Sequence, residues 1–117
     1  MKRGTIVLCQ FPFTDQTGAK LRPALVVSRS DRSGDDCMVA FITGSVSPVL
    51  QFSDLLIQSS RKDFASTGLR RDSVIRLDKI AIVHTSLVKR ALGALPLDLI
   101  PAFDARIAFA LGIRDSI

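Results

Sequence analysis

The segment that decides the fold is Ser73–His84, which reads SVIRLDKIAIVH. It is rich in β-branched and apolar residues, a composition that is typical of a β-strand. The run is long for a strand, since most strands have about five or six residues, so we expect it to be bent or split. Arg76 and Asp78 stand two residues apart on a face that is otherwise mostly apolar. Charged residues seldom take such positions without a partner or a task.

Shorter apolar runs on the N-terminal side of this segment predict further strands. They are Thr5–Phe11, Pro23–Ser28, Cys37–Thr43 and Phe52–Ile57. On its C-terminal side, Thr85 is expected to cap a short helical turn that runs through Arg90. Strands therefore dominate, and we expect residues 1–117 to form a single domain with a mainly β fold. The predicted architecture is a small, strongly bent antiparallel sheet or barrel with a C-terminal α-helix.

The last part of the chain predicts that closing helix. Apolar residues recur there at helical spacing, namely Leu99, Phe103, Ile107, Ala110 and Leu111. Asp98 is the expected N-cap and Gly112 the expected stop. Pro101 must then lie in the first turn, because a proline deeper in a helix costs about 3 kcal/mol.

The positive charge is concentrated in one segment. The formal net charge is +5, and residues 61–90 hold that whole excess, with eight basic and three acidic residues. Residues 58–72, which overlap the start of this segment, are polar and basic. A loop of that length is more often functional or mobile than a simple connection. A local basic surplus predicts a polyanionic partner. A solvated basic loop is the alternative.

The residue inventory excludes several kinds of function. With one His, two Cys and no CxxC spacing, the sequence predicts no metal site and no cofactor. It contains neither GxGxxG nor GxxxxGK[ST], and no apolar stretch of about 18 residues, so no membrane span is expected. Cys9 and Cys37 lie in strand-like segments, which indicates buried, reduced thiols and a cytoplasmic protein.

Two further residues are placed where they can contact an anion. Arg22 precedes Pro23, and the residue before a proline is held extended. The guanidinium of Arg22 therefore has a fixed direction and can form two hydrogen bonds to a phosphate. Thr43 ends an apolar strand just before Gly44, where close backbone approach and free N–H groups suit an oxyanion. An ordinary surface arginine and a strand-ending threonine are the alternatives.

Together these groups fit RNA cleavage without a metal. That reaction needs a base for the ribose 2′-OH, cations for the phosphorane and an acid for the 5′-oxygen. Asp78 is the candidate base, provided that burial makes its carboxylate more basic. Arg22 and Arg76 would neutralise the phosphate, and Thr43 would donate to a non-bridging oxygen. Arginine is a poor proton donor near neutral pH, so the acid stays open, as does a structural ion pair between Arg76 and Asp78.

Several sequence blocks occur in a familiar order. They are Gly4–Leu8, Phe11–Asp15, Leu21–Ser28, Phe41–Thr43 and Asp72–Ile80. In this series they resemble the MazF/PemK toxins of bacterial type II toxin–antitoxin systems. The resemblance implies an SH3-like barrel of five to seven strands, usually a homodimer. It also implies sequence-selective, metal-independent cleavage of single-stranded RNA that leaves 2′,3′-cyclic phosphate and 5′-OH ends.

The resemblance also implies a site. The catalytic Arg and Thr of the family fall on Arg22 and Thr43, and the Arg-x-Asp of some branches falls on Arg76 and Asp78. RNA contacts are expected in the first inter-strand loop and at nearby polar and basic residues, namely Asp15, Gln16, Lys20, Ser45, Arg70 and Arg71. The chain departs from the family at Gly44, where Ser or Thr is common, and it has no His in the first loop.

Partners follow from the same resemblance. A cognate antitoxin with an acidic, disordered segment is expected to fold along a basic groove. Two other functions stay open: a CcdB-like toxin that binds a topoisomerase, and a non-catalytic RNA-binding barrel. The absence of Tyr and Trp counts against strong base stacking in the second of these.

Overall fold

Six strands and one helix form the fold in the computed structural model, which describes residues 1–10 and 20–113. They are β1 (Thr5–Gln10), β2 (Leu21–Val26), β3 (Asp36–Thr43), β4 (Asp54–Ile57), β5 (Ser73–His84), β6 (Val88–Ala94) and α1 (Ile100–Ala110). The strands pair antiparallel in one sheet of order β4-β5-β3-β2-β1-β6. The predicted mainly β, antiparallel fold with a C-terminal helix is therefore confirmed. No helix in the described ranges is long and apolar enough to cross a membrane.

The long strand β5 is bent, as its length predicts. Between Ala40 and Phe41 of β3, the paired residue in β5 changes from Ile80 to Arg76, so residues 77–79 bulge out of the ladder. The first part of β5 also pairs with β4, where Asp54 lies opposite Arg76. A bulge increases the local twist of a strand. The bend therefore lies next to the Arg76 and Asp78 positions.

Apolar side chains cover both faces of the sheet. In β2 the alternation is direct, because Leu25 joins one cluster while Ala24 and Val26 join the other. The first cluster includes the fully buried Phe103 of α1, which packs the helix against the sheet. The second contains both cysteines. Burial of β2 on both faces was the expectation from its nearly continuous apolar run, and it is confirmed.

Two local predictions around β6 and α1 are wrong. The helical turn from Thr85 ends at Leu87, and it is the ring of His84 that caps it by accepting the Ser86 N–H at 3.1 Å. The following residues form β6, because they pair with β1 through two register shifts that no local pattern announces. Asp98 does not cap α1, since its carboxylate lies 2.6 Å from Arg61. The stop at Gly112 is confirmed, with φ of +72°.

Residues 58–72 are tied closely to the rest of the fold. They contain a short 3-10 helix, Phe64–Thr67, which packs backbone against backbone on β6. An alanine Cβ at Gly93 would lie only 2.2 Å from the Ser66 carbonyl oxygen. At the ends of the segment, the Ser59 N–H donates to Asp72 Oδ1 at 2.6 Å. Residues 58–72 are thus packed against β6 and closed by a hydrogen bond, and they do not form a loose loop.

Candidate nucleic-acid interface

A cleft of about 660 Å³ opens where β2, β3 and β6 meet residues 68–73. Four arginines line it, namely Arg22, Arg70, Arg71 and Arg90. Among the described residues of the lining there is no carboxylate. Cationic walls without nearby acids concentrate positive potential in a cleft. The arrangement therefore suits a polyanion.

Arg22 enters the cleft from the start of β2. It lies opposite Cys9 of β1, and its Cζ is 5.9 Å from the centroid of the Phe41 ring. Its Nε atom is buried, and no residue in the part of the chain described here accepts its hydrogen bond. A buried donor without a partner costs free energy. A bound phosphate oxygen would supply the missing acceptor.

Thr43 and Ser45 form the tight turn that follows β3. The Ser45 N–H donates to Thr43 Oγ1 at 3.1 Å. A threonine hydroxyl has one donor and two acceptor sites, so this bond uses an acceptor site and leaves the O–H to donate. Both residues line the cleft together with Arg22. The turn thus presents a hydroxyl donor beside a guanidinium.

Arg76 lies between two carboxylates. Its Nε is 2.9 Å from Asp54 Oδ1 and 3.5 Å from Asp78 Oδ1. The first contact is an ion pair rather than an aligned hydrogen bond. Asp54 is only 7% exposed, and its Oδ2 accepts the Gln51 N–H at 2.9 Å. Asp78 is exposed, so the burial that the sequence prediction assumed at this position is absent.

Phe41 connects the two groups of candidate residues. It pairs with Ala24 on one side and with Arg76 on the other, and directly paired residues present their side chains to the same face. Arg22 and Thr43 stand two residues further along their strands, so they share this face as well. Arg76 and Asp78 are absent from the cleft lining, but Arg76 lies on the same side of the sheet.

The remaining predicted RNA contacts fall into two groups. Ser45, Arg70 and Arg71 line the cleft. Lys20 is exposed directly before β2, whereas Asp15 and Gln16 lie outside the described residues. Metal ligands are not grouped either: within residues 1–10 and 20–113, no three His, Cys or Asp side chains come together.

Three residues of this region were not expected from the sequence. Asp54 carried a signal, because it is the one charge in the apolar run Phe52–Ile57. Phe41 lies in the Phe41–Thr43 block and Arg90 in the basic segment 61–90. Neither was singled out as a site residue, because strand pairing brings each of them to this region.

Hydrogen bonding and burial shift the pKa of two groups near the cleft. The Ser59 N–H holds the pKa of Asp72 below its usual value of 3.8, which keeps this neighbour of Arg71 ionised. Burial raises the pKa of the Cys9 thiol, and the nearby Cys37 adds to that rise. The Cys9 thiol therefore stays protonated at neutral pH and is a poor nucleophile.

Fold and cleft together define a small antiparallel β protein with a groove lined by four arginines. Residues 2–111 match the family described as PemK-like, MazF-like toxin of type II toxin-antitoxin system. This match spans nearly the whole chain, so the protein belongs to that family of toxins. None of the curated proteins matches the sequence significantly.

Solved structures of the same fold include three that cover almost all of the chain. The Mycobacterium tuberculosis toxin MazF-mt6 is 22% identical, with a TM-score of 0.75, over 95% of this chain and 99% of that chain. An endoribonuclease in complex with its cognate antitoxin from a mycobacterial species is 19% identical, with a TM-score of 0.74, over 98% of each chain. A MazE-MazF structure from Deinococcus radiodurans is 20% identical, with a TM-score of 0.73, over 97% of this chain and 98% of that chain.

Proposed function

We propose that this toxin is a sequence-selective, metal-independent endoribonuclease. It cleaves single-stranded RNA and leaves 2′,3′-cyclic phosphate and 5′-OH ends. The observation that carries the proposal is the meeting of Arg22 and Thr43 with Ser45, Arg70 and Arg71 in one cleft whose described lining holds no carboxylate. A structural neighbour named as an endoribonuclease supports it further.

The roles follow from the chemistry of the side chains. Arg22 binds the scissile phosphate through its buried Nε–H, which has no acceptor among the described residues, and through the rest of its guanidinium. The Thr43 O–H donates to a non-bridging oxygen, and Arg76 adds positive charge from the same face of the sheet. Asp78 is exposed, so in this proposal it takes the proton of the ribose 2′-OH without the help of burial. The 2′-oxygen attacks phosphorus as the bond to the 5′-oxygen breaks, and the departing 5′-oxygen takes a proton from water.

The substrate strand extends beyond these four residues. Arg70 and Arg71 neutralise neighbouring phosphates, and Ser45 hydrogen-bonds the backbone at the turn. The first inter-strand loop, with Asp15, Gln16 and Lys20, contacts bases, as the resemblance to the family implies. Readout by several polar residues is what gives a preferred cleavage sequence.

The proposal also covers the location of the protein, its oligomeric state and its inhibitor. Residues 1–117 act as one toxin domain in the cytoplasm, as a homodimer. A cognate antitoxin places an acidic, disordered segment along the arginines of the cleft and so competes with RNA. A MazE-MazF neighbour supports such a complex. Because the attraction is electrostatic, inhibition should weaken as salt is added.

The deciding experiment is RNA cleavage in the presence of EDTA. Wild type should cleave single-stranded RNA, and R22A and T43A should each be slower by about a hundredfold to a thousandfold, the usual loss for one oxyanion donor. R29A is the matched control, because the side chain of Arg29 is 80% exposed and pairs with Asp31 at the surface. Chemical analysis of the products should find cyclic phosphate ends.

Four results would contradict the proposal. Absence of cleavage is one, and equal cleavage by R22A is another. Growth arrest with intact cellular RNA would point instead to a topoisomerase-binding toxin, whereas RNA binding without turnover would leave a non-catalytic barrel.

A further inference from the structure

Gly44 supports the side chain of Arg71. The two residues come from different segments, since Gly44 directly follows β3 and Arg71 precedes β5. An alanine Cβ at position 44 would lie 2.8 Å from Arg71 Cδ, with Arg71 Cγ and Nε each at 3.4 Å. A real Cβ does not approach a carbon so closely, because dispersion contacts are optimal at about 3.5–4.0 Å. The stem of Arg71 therefore fills the space that any side chain at position 44 would need.

The position of the guanidinium follows from this contact. Because Arg71 Nε lies next to Gly44, the guanidinium of Arg71 lies beside the Thr43–Ser45 turn. The Ser73 O–H donates to the Arg71 carbonyl at 2.9 Å and fixes the backbone from which the side chain starts. Within residues 1–10 and 20–113, no carboxylate pairs with Arg71. Its charge is thus available to a ligand.

We propose that Gly44 is a positioning residue for Arg71, and that the missing side chain at this position sets where Arg71 meets an RNA phosphate next to the one held by Thr43. The inference rests on the proposed endoribonuclease function and deepens it. A long arginine stem loses rotamer freedom when it binds. Packing the stem across a glycine lowers that cost before RNA arrives, which is the general benefit of preorganisation.

The test is a double-mutant cycle on kcat/KM with single-stranded RNA, using wild type, G44A, R71A and the G44A/R71A pair. Gly44 has no left-handed φ, and the atom nearest to the new Cβ belongs to a flexible side chain. The alanine should therefore move Arg71 without unfolding the protein, which thermal melting verifies. R71A should lose about tenfold to a hundredfold, as for one hydrogen bond to a charged group.

The signature of positioning is coupling between the two substitutions. G44A alone should lose about threefold to tenfold, but in the R71A background it should change kcat/KM by less than about twofold. In an R90A background, where another arginine of the cleft is removed, G44A should keep its full effect. Equal effects of G44A in the wild-type and R71A backgrounds would overturn the inference, as would an inert R71A.

Binding measurements separate this inference from the proposed function. Affinity for a 2′-O-methyl RNA, which cannot be cleaved, is measured by fluorescence anisotropy at several salt concentrations. For every RNA phosphate that the protein no longer neutralises, the slope of log K against log salt should fall by about 0.7, so R71A and G44A should both lower it. If wild type binds RNA but does not cleave it, the proposed endoribonuclease function is contradicted. The inference about Gly44 is then still decided by whether G44A and R71A have coupled effects on RNA affinity. If wild type neither binds nor cleaves, both are overturned.

Discussion

Asp54 is the residue that ties Arg76 to the sheet. Its carboxylate is buried and contacts the Arg76 guanidinium at 2.9 Å, while its other oxygen accepts the Gln51 N–H. Removing one partner of a buried charge pair leaves the other without compensation. Here Arg76 is 27% exposed, so water reduces the penalty. The pair thus serves both the stability of β4 against β5 and the direction of Arg76.

We expect D54A to lower the free energy of unfolding by about 1–3 kcal/mol. D54N should lose less, because its amide oxygen still accepts the Gln51 N–H. Urea denaturation followed by circular dichroism measures the difference, and D31A is the control, since Asp31 is 80% exposed. A D54A midpoint equal to that of wild type would show that the buried pair contributes nothing.

Asp72 makes stability depend on pH. The Ser59 N–H lowers its pKa in the folded state below the ordinary 3.8. A lowered folded-state pKa stabilises the fold above the unfolded value, and that contribution is lost as the pH falls through the folded-state pKa. D72A should therefore melt below wild type at neutral pH, with the gap closing as the pH falls below 3.8. A gap that stays constant down to about pH 2 would contradict this.

At the scale of elements, a segment could be predicted when its own residues determine its structure. It could not be predicted when contacts with residues distant in sequence determine it. The bounds of β5 could be predicted because the run of β-branched residues is dense and local. Arg22 and Thr43 could be found because a proline and a strand end mark them. β6 could not, since its irregular pairing with β1 places it. Asp98 was misassigned because Arg61, distant in sequence, takes its carboxylate.

The close contact between the 3-10 helix Phe64–Thr67 and β6 allows the packing of these elements to be tested by mutation. G93A would place a Cβ 2.2 Å from the backbone oxygen of Ser66, and a backbone cannot step aside as a side chain can. We expect a loss of at least about 2 kcal/mol in the free energy of unfolding, towards the upper end of overpacking costs. G44A is the matched control and should unfold close to wild type. Equal stability of the two variants would contradict the close packing.

At the scale of the whole molecule, the sheet is covered by apolar side chains on both faces, and the second cluster encloses both thiols. Buried core strands open with free energies that approach that of global unfolding. The reactive groups of the sheet are then protected as long as the protein stays folded.

Cys9 and Cys37 should therefore resist a thiol reagent. Cys9 is fully buried with a raised pKa, and Cys37 is 2% exposed. With Ellman's reagent at about pH 8, where an exposed thiol near its ordinary pKa reacts readily, we expect no fast phase for the native protein. Both thiols should react once guanidinium chloride unfolds the chain. A fast native phase would mean that the second cluster opens locally.

Two of the crowded glycines, Gly44 and Gly93, have opposite consequences for evolution. Every glycine codon is a single nucleotide change away from an alanine codon. At position 93 such a change meets main chain, and selection for folding removes it. At position 44 the same change meets only a movable side chain, so a lineage that carries it keeps its fold and alters its cleft. The shape of the cleft can thus change by a single mutation while the scaffold stays fixed.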